Sequence, residues 1–168
     1  MNRVLSLLVT IAWGVWFGAM GMLFVALASI FKSLPADRET AGNVAAGLFP
    51  KFERMQLILA GVCLLGTSAW YLAAKSRAKL ALFALFAVAT MIAVVETTSV
   101  TPRIEEMRIR GERGTPQFER AHRLSERVYT AGAVVLLFAG VALPGAIRSD
   151  VQPKVIVPPQ TAEENPPA

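Results

Sequence analysis

Four long apolar runs with almost no charged residues dominate the sequence, at residues 4–31, 55–74, 80–100 and 128–147. The hydrocarbon core of a bilayer is about 30 Å thick, and about 20 apolar residues in an α-helix cross it. Because lipid offers no hydrogen-bond partner to a backbone amide, a run of this kind must be helical where it crosses the membrane. The runs therefore predict four transmembrane spans. The first is too long for the apolar region of a signal peptide, so we expect an uncleaved span.

The composition agrees with a membrane protein of one domain. Of the 168 residues, 54% are hydrophobic and 17% are charged, a balance too apolar for an ordinary soluble domain. We expect a four-span membrane domain over residues 1–148 and a disordered, Pro-rich tail over residues 149–168. The formal net charge is +5, but the basic residues lie at span ends. Anionic lipid head groups explain them there, so the predicted partner is the lipid bilayer and not nucleic acid.

A short repeat precedes the second and the fourth span. Pro50-Lys51-Phe52-Glu53-Arg54 leads into the second span, and Pro116-Gln117-Phe118-Glu119-Arg120 leads toward the fourth. Each copy follows a polar connection after an odd-numbered span, which indicates two tandem hairpins in the same orientation. Each proline suits the first turn of a helix, where its missing amide hydrogen is not needed. The predicted fold is an all-α bundle of four transmembrane helices, with helical extensions beyond the membrane.

The polar connections contain signals for those extensions. Residues 37–47 are typical of a short surface helix, with Asp37 as its N-cap, and Thr115 is a predicted N-cap ahead of Pro116. Glu–Arg pairs four residues apart support solvated helices on both sides of the third connection: Glu106 with Arg110, and Glu119 with Arg123. Lys and Arg are more numerous in the first and third connections, but they are dense near the first two spans as well. The orientation in the membrane therefore stays open.

Glu96 is the one ionisable residue inside a predicted span. A carboxylate in a bilayer costs several kcal/mol unless it is paired, hydrated or protonated. If the third connection turns near residue 113, Glu96 lies beside Tyr129 and Thr130, and we expect a hydrogen bond to one of them. A structural anchor and a proton or cation site are both compatible with this position.

His122, the single histidine, shares a helical stripe with Phe118, Ser125 and Tyr129, and we expect this stripe to face the bundle. The repeat places Gln56 at the equivalent position of the other hairpin. No partner stands at metal-ligand spacing, so no metal site is predicted. A hydrogen-bonded packing role and a metal or proton role both remain open for His122.

Small residues form a face on the first predicted helix, at Gly14, Gly18 and Gly21. Close backbone approach drives helix association in lipid, so we expect this face to pack on another helix. The pattern does not distinguish packing within the chain from dimerisation. No nucleophile elbow, phosphate-binding loop or haem-binding pair is present, so we expect neither enzymatic activity nor a cofactor.

Several short motifs resemble those of the transmembrane-protein-205-like family, also described as domain of unknown function 4149. They are Leu48-Phe49-Pro50, then Thr101-Pro102-Arg103-Ile104, then Phe118 with His122 and Ser125. The resemblance would cover residues 4–147 and implies four spans. The family motifs and the internal repeat together give the predicted structural motif residues Pro50, Phe52, Pro102, Arg103, Pro116, Phe118 and Ser125. The chain departs from the family at Ala121, where leucine usually precedes the histidine. A fainter similarity links it to the membrane part of copper-resistance proteins, whose metal-binding residues are missing here.

Because the family has no settled biochemical function, the resemblance leaves two hypotheses. The first is a structural or partner-binding membrane module, homo-oligomeric through the glycine face. The second is a small transporter or exporter of a cation or amphipathic solute, with a binding site between the hairpins formed by Glu96, Tyr129, His122 and Gln56. A hydrated cavity at Glu96 would favour transport, and dry packing against Tyr129 would favour structure. In both cases we expect a multi-pass protein of the bacterial plasma (inner) membrane.

Overall fold

The computed structural model describes residues 2–151, and four of its helical stretches are long and apolar enough to cross a membrane. No strand occurs within that range, so the predicted all-α class is confirmed. A π-helical turn, Glu96–Val100, joins α4 to α5 in one continuous rod. The six α-helices are α1 (Asn2–Ser33), α2 (Arg38–Ala46), α3 (Phe49–Ala73), α4 (Arg77–Val95), α5 (Thr101–Ile109) and α6 (Pro116–Arg148).

The four long rods form a closed ring in which each packs on two neighbours. α1 packs on α3, α3 on α4, α4 on α6, and α6 on α1. The first hairpin is α1 with α3, and the second is α4 with α6, as the repeat predicts. One end of the bundle, here called the terminal end, holds Asn2, Ser76 and Ser149. The opposite end, the loop end, holds α2, α5 and the first turns of α6.

Each long helix buries one narrow stripe and exposes its other apolar residues. The stripe of α3 is the most regular, with buried residues three or four positions apart: Glu53, Gln56, Ala60, Cys63, Thr67 and Trp70. Large apolar side chains such as Leu65 and Val141 are 72% exposed. An apolar outer surface on helices of this length is what a bilayer stabilises.

The glycine face of α1 does not pack within the chain. Gly14, Gly18 and Gly21 are exposed, and a Cβ atom built on any of them would meet nothing within 4 Å. Of the two alternatives that the sequence left open, the structure therefore does not show packing of this face within the described chain, and dimerisation stays a prediction. The buried stripe of α1 instead contains Trp16 and Met20, whose bulk fills the centre of the bundle and turns the glycines outward.

The two predicted N-caps are confirmed. Asp37 accepts a hydrogen bond from the Thr40 amide at 2.9 Å, and Thr115 accepts one from the Phe118 amide at 3.2 Å. The repeat, however, has different surroundings in its two copies. Phe52 and Glu53 are buried, whereas Phe118 is half-buried and Glu119 is exposed beside Arg123. α3 begins inside the bundle, while α6 begins beyond it as a helical extension.

The terminal end is joined by a network around Asp150. Lys79 Nζ donates to Asp150 Oδ1 at 2.5 Å, and Trp70 Nε1 donates to Oδ2 at 2.7 Å. Ser149 Oγ lies 3.0 Å from Ser76 Oγ. Ser149 and Asp150, which the sequence assigns to the start of the tail, therefore contact the bundle because buried Lys79 needs a counter-charge. The predicted disorder of residues 152–168 lies outside the described residues.

Candidate functional site

Polar side chains from both hairpins meet inside the bundle near the loop end. We call this group the inter-hairpin polar cluster. The buried stripes of α3 and α6 bring most of them inward, and the π turn and α5 provide the rest. The cluster consists of Glu53 and Gln56 from α3, Glu96 from the π turn, Thr101 from α5, and Ser125 and Tyr129 from α6. Gln56 and Glu96 are each 1% exposed.

The hydroxyl groups of the cluster donate to its two carboxylates. Thr101 Oγ1 donates to Glu53 Oε1 at 2.5 Å, and Tyr129 OH donates to the same oxygen over a longer distance of 3.4 Å. Ser125 Oγ donates to Glu96 Oε1 at 2.5 Å. The two bonds to Glu53 cross between the hairpins, so the arrangement depends on how the hairpins are positioned.

The carboxylates lack a basic partner in the described part of the chain. The ion pairs found there involve other acids, and neither Glu53 nor Glu96 accepts a bond from Lys, Arg or His. Removing an unpaired carboxylate from water costs several kcal/mol. The cluster is therefore suited to bind a proton or a cation, which would neutralise one of the two charges.

A small internal cavity adjoins the cluster. Its volume is about 10 Å³, close to what one water molecule requires. Trp16, Gln56, Glu96 and Tyr129 are among its lining residues, together with apolar residues such as Leu136, and the surface of the cavity is apolar. Within residues 2–151, no three His, Cys, Asp or Glu side chains are grouped as a metal site.

The predicted partner of Glu96 is wrong. Glu96 bonds to Ser125, while Thr130 Oγ1 donates to the Glu126 carbonyl of its own helix at 2.7 Å. The π turn explains the difference, because its wider turn breaks the residue-for-residue pairing across the connection. Glu96 and Tyr129 still line the same cavity, as does Gln56. Three of the four predicted binding residues are therefore brought together.

His122 is the exception. Its side chain is 50% exposed, its Nε2 lies 3.4 Å from Glu126 Oε1, and its ring stacks on Phe118. The stripe faces the bundle at Ser125 and Tyr129 but not at His122, because the first turns of α6 extend beyond the other long helices. The prediction that the whole stripe is buried is wrong.

Sequence reasoning missed Glu53, Thr101 and Trp16. A usable signal existed for Glu53, because it lies three residues before Gln56 and continues the buried stripe of α3. Its place in the first turn of a helix suggested instead a role against the helix dipole. The contribution of Trp16 depends on which face of an all-apolar helix turns inward, and the sequence of α1 does not fix that face.

The chain matches a family described as Domain of unknown function (DUF4149) over residues 11–113, more than half of its length. It belongs to the DUF4149 family. The DUF4149 match includes Glu53, Gln56, Glu96 and Thr101, and it ends before α6. The resemblance around Phe118, His122 and Ser125 thus stays a prediction. No curated protein and no solved structure matches the chain.

Proposed function

We propose that this membrane protein is a small transporter or exporter of a cation, with its binding site at the inter-hairpin polar cluster. The observation that supports this is the burial of Glu53 and Glu96 without a basic partner in the described residues. A cation or proton would remove the cost of that charge. The cavity at Glu96 has a volume of about 10 Å³, which favours a small ion over an amphipathic solute.

The position of the cluster is compatible with alternating access. Thr101 and Tyr129 belong to the second hairpin, and both bond to Glu53 of the first. A rocking motion of one hairpin against the other would break these bonds and expose the carboxylates. Sites between helical repeats that move in this way are common in secondary transporters.

The experiment is cation uptake by liposomes that contain the purified protein. We expect uptake by the wild type and a loss of about tenfold or more in Glu96→Gln and Glu53→Gln, because each variant removes a buried charge. Thr67→Val is the matched control, since Thr67 is fully buried on the same stripe of α3 but lies outside the cluster. Uptake in Glu96→Gln equal to that of Thr67→Val would contradict the proposal.

A second candidate function is a structural or partner-binding module that forms a homo-oligomer. It is supported by the outward face of Gly14, Gly18 and Gly21, which is open to a second copy. We expect native mass spectrometry to show an oligomer that Gly18→Leu disrupts. Gly145→Leu is the control, because Gly145 on α6 is also exposed with no neighbour within 4 Å. If the wild type were monomeric, or if Gly18→Leu and Gly145→Leu lost the oligomer equally, the glycine face would be excluded as the interface.

The proposal assigns no enzymatic activity and no cofactor to the chain. It places the protein in a bacterial plasma (inner) membrane, because helical spans are typical of that membrane and outer membranes contain barrels instead. It also retains the relationship to transmembrane-protein-205-like proteins that the motifs around Pro50 and Pro102 suggest. Separation of inner and outer membranes by density, followed by detection of the protein, tests the location.

A further inference from the structure

The last residues of α6 follow a proline inside the helix. Pro144 has no amide hydrogen, so the Gly140 carbonyl receives no helical hydrogen bond from position 144. Proline is one of the few identified causes of sharp bends in helices. Gly145 is exposed, and a Cβ atom built on it would meet nothing within 4 Å. The helix is therefore weakened at Pro144 and has free space beside it.

The part of α6 ahead of Pro144 is fixed on α1. Trp13 Nε1 donates to the Leu136 carbonyl at 2.8 Å, and the indole ring lies against Gly140. The Leu136 side chain is fully buried. Beyond the proline, by contrast, Ala146 is the one buried apolar side chain among the described residues. Apolar packing therefore holds the end of α6 weakly, because a single methyl group contributes little buried area.

Polar contacts of Asp150 hold this end of the molecule instead. Its Oδ1 atom accepts from Lys79 Nζ at 2.5 Å and from Asn2 Nδ2 at 3.2 Å. Its Oδ2 atom accepts from Trp70 Nε1 at 2.7 Å. Asn2 and Trp70 belong to the first hairpin, whereas Asp150 follows the last helix of the second. The Asp150 carboxylate thus joins the two hairpins at the terminal end, as the Glu53 carboxylate does near the loop end.

We propose that residues 145–150, here called the terminal segment, form a hinged gate. The gate closes the terminal end of the hairpin interface while Asp150 is bound to Lys79 and Trp70, and it opens by bending at Pro144. This inference rests on the proposed function, because it names what controls access to the inter-hairpin polar cluster from the terminal end. The bonds of Glu53 and those of Asp150 break in alternation, so that one set always holds the hairpins together.

An ion pair at this place gives a closure that opens reversibly. Burying two opposite charges removes their hydration, and that cost offsets much of their attraction. The Lys79 side chain is fully buried, whereas the Asp150 side chain is 17% exposed, so water reaches the pair from the side of the terminal segment. When the gate opens, both ions regain water together. The open state therefore avoids the cost of a lysine that stays buried without a counter-charge.

The first test locks the gate with a disulfide. Ser76 Oγ and Ser149 Oγ are 3.0 Å apart, so Ser76→Cys together with Ser149→Cys places two thiols within bonding reach across the closed gate. We expect cation uptake by liposomes to fall about tenfold or more when the disulfide forms, and to recover on reduction, because a locked gate stops the transport cycle. Ser76→Cys alone is the matched control. It changes the same N-cap without forming a bridge, so its uptake should respond to neither oxidation nor reduction.

The single native cysteine reports on the gate without a transport assay. Cys63 is fully buried on the stripe of α3, between Gln56 and Trp70. A small charged thiol reagent reaches Cys63 only while the bundle is open, and peptide mass spectrometry distinguishes its label from labels on introduced cysteines. We expect the disulfide to slow the labelling of Cys63 about tenfold, because local opening of the terminal end then becomes rare.

Two further variants shift the gate in opposite directions. Pro144→Ala restores the missing amide donor and stiffens the bend, so Cys63 should be labelled more slowly. Val141→Ala is its matched control, because Val141 is 72% exposed on the same helix. Asp150→Asn weakens the closed state, so labelling should be faster. Each variant is first checked for native helix content and a single peak in detergent, and Asn2→Ala tests the same closure if Asp150→Asn does not fold.

The outcomes separate this inference from the proposed function. Absence of uptake in the wild type, with Cys63 labelling that depends on the disulfide, would overturn the proposed function and leave the gate standing. Uptake that continues unchanged with the disulfide formed would overturn the gate and leave the proposed function standing. Cys63 labelling at one rate in the wild type, Pro144→Ala and the oxidised double variant would also overturn the gate.

Discussion

Lys79 Nζ lies 2.5 Å from Asp150 Oδ1, so a buried cation at the start of α4 is neutralised by an acid just beyond α6. The Lys79 side chain is fully buried, and its ammonium group also donates to the Ala74 carbonyl at 3.0 Å. Trp70 donates to the same carboxylate. The terminal end is thus balanced in charge, whereas the inter-hairpin polar cluster has two acids without a basic partner in the described chain.

We expect Asp150→Asn to destabilise the bundle by about 3 kcal/mol, because it leaves a buried lysine without its counter-charge. The measurement is thermal unfolding in a mild detergent. Lys75→Met is the control, since Lys75 is exposed on the same connection. If Asp150→Asn unfolded at the same temperature as Lys75→Met, the ion pair would not stabilise the bundle.

The ion pair of Lys79 with Asp150 makes the stability of the bundle depend on pH. Burial acts to raise the pKa of Asp150, but hydrogen bonds from Lys79 and Trp70 outweigh it, and the pKa lies below its ordinary value of 3.8. For an acid whose pKa is lower in the folded protein, the ion pair stabilises the fold fully at pH values above the pKa of the unfolded state. This stabilisation is lost as the pH falls through the pKa of the folded state. We therefore expect the difference in unfolding temperature between wild type and Asp150→Asn to be constant from pH 7 to about pH 5. It should shrink below the ordinary pKa of 3.8. A difference that shrinks already near neutral pH would contradict this assignment.

The sequence predicts the four spans well because their length is dictated by the thickness of the bilayer and not by tertiary packing. The Asp37 and Thr115 caps are equally local and equally predictable. The inward face of α1, in contrast, could not be predicted from the sequence. Its helix is apolar on every side, so no periodicity distinguishes Trp16, which is buried, from Gly18, which is exposed.

The site was predictable only in part, for a related reason. Glu96 and Gln56 stand out as polar residues within or beside apolar runs. The partner of Glu96 depends on the register between α4 and α6, and the π turn changes that register. Side-chain spacing in the sequence does not reveal such a turn. The nearest sign of it is Pro102, which cannot donate a helical hydrogen bond.

Pro102 follows the π turn and so affects the position of Thr101 in the inter-hairpin polar cluster. The Thr101 amide donates to the Glu96 carbonyl five residues earlier, in a wide turn just ahead of the proline. In Pro102→Ala the helix is free to take regular α-helical bonds, which would rotate Thr101 away from Glu53. We expect Thr101→Val to cost about 2 kcal/mol in the wild type, as for a hydrogen bond to a charged group, and close to zero in Pro102→Ala.

The free energy of unfolding for this double-mutant cycle is measured by titration with SDS in mixed micelles. Thr98→Val is the control, because Thr98 Oγ1 bonds to the Val94 carbonyl of its own helix at 2.7 Å and is exposed. An equal cost of Thr101→Val in both backgrounds would show that the π turn does not position Thr101.

His122→Ala should leave both transport and stability unchanged. The half-exposed ring stacks on Phe118 and lies beside Glu126, and exposed pairs of this kind contribute less than about 1 kcal/mol. The measurement is proton and cation uptake together with thermal unfolding, compared with Glu119→Gln on the same exposed turn. If His122→Ala lost uptake while Glu119→Gln did not, His122 would belong to the binding site, and α6 would have to move to bring it there.

Gly140 on α6 lies against Trp13 on α1, so their contact affects how the two hairpins pack together. A Cβ atom at Gly140 would lie 2.2 Å from Cζ2 of Trp13, and Trp13 Nε1 donates to the Leu136 carbonyl at 2.8 Å. Gly140→Ala must therefore displace the indole and break that bond. We expect a loss of about 2 kcal/mol, typical of an overpacked core. Gly14→Ala, where the added Cβ meets nothing within 4 Å, should cause no loss.

Shortening the indole separates the clash from other effects of the substitution. In Trp13→Leu the ring atoms that a Cβ at Gly140 would meet are absent, so Gly140→Ala should cost little in that background. The two single variants and the double variant are compared by the same SDS titration. If Gly140→Ala destabilised both backgrounds equally, the cost would come from the backbone of α6. The close contact of Trp13 with Gly140 would then not determine how α1 packs against α6.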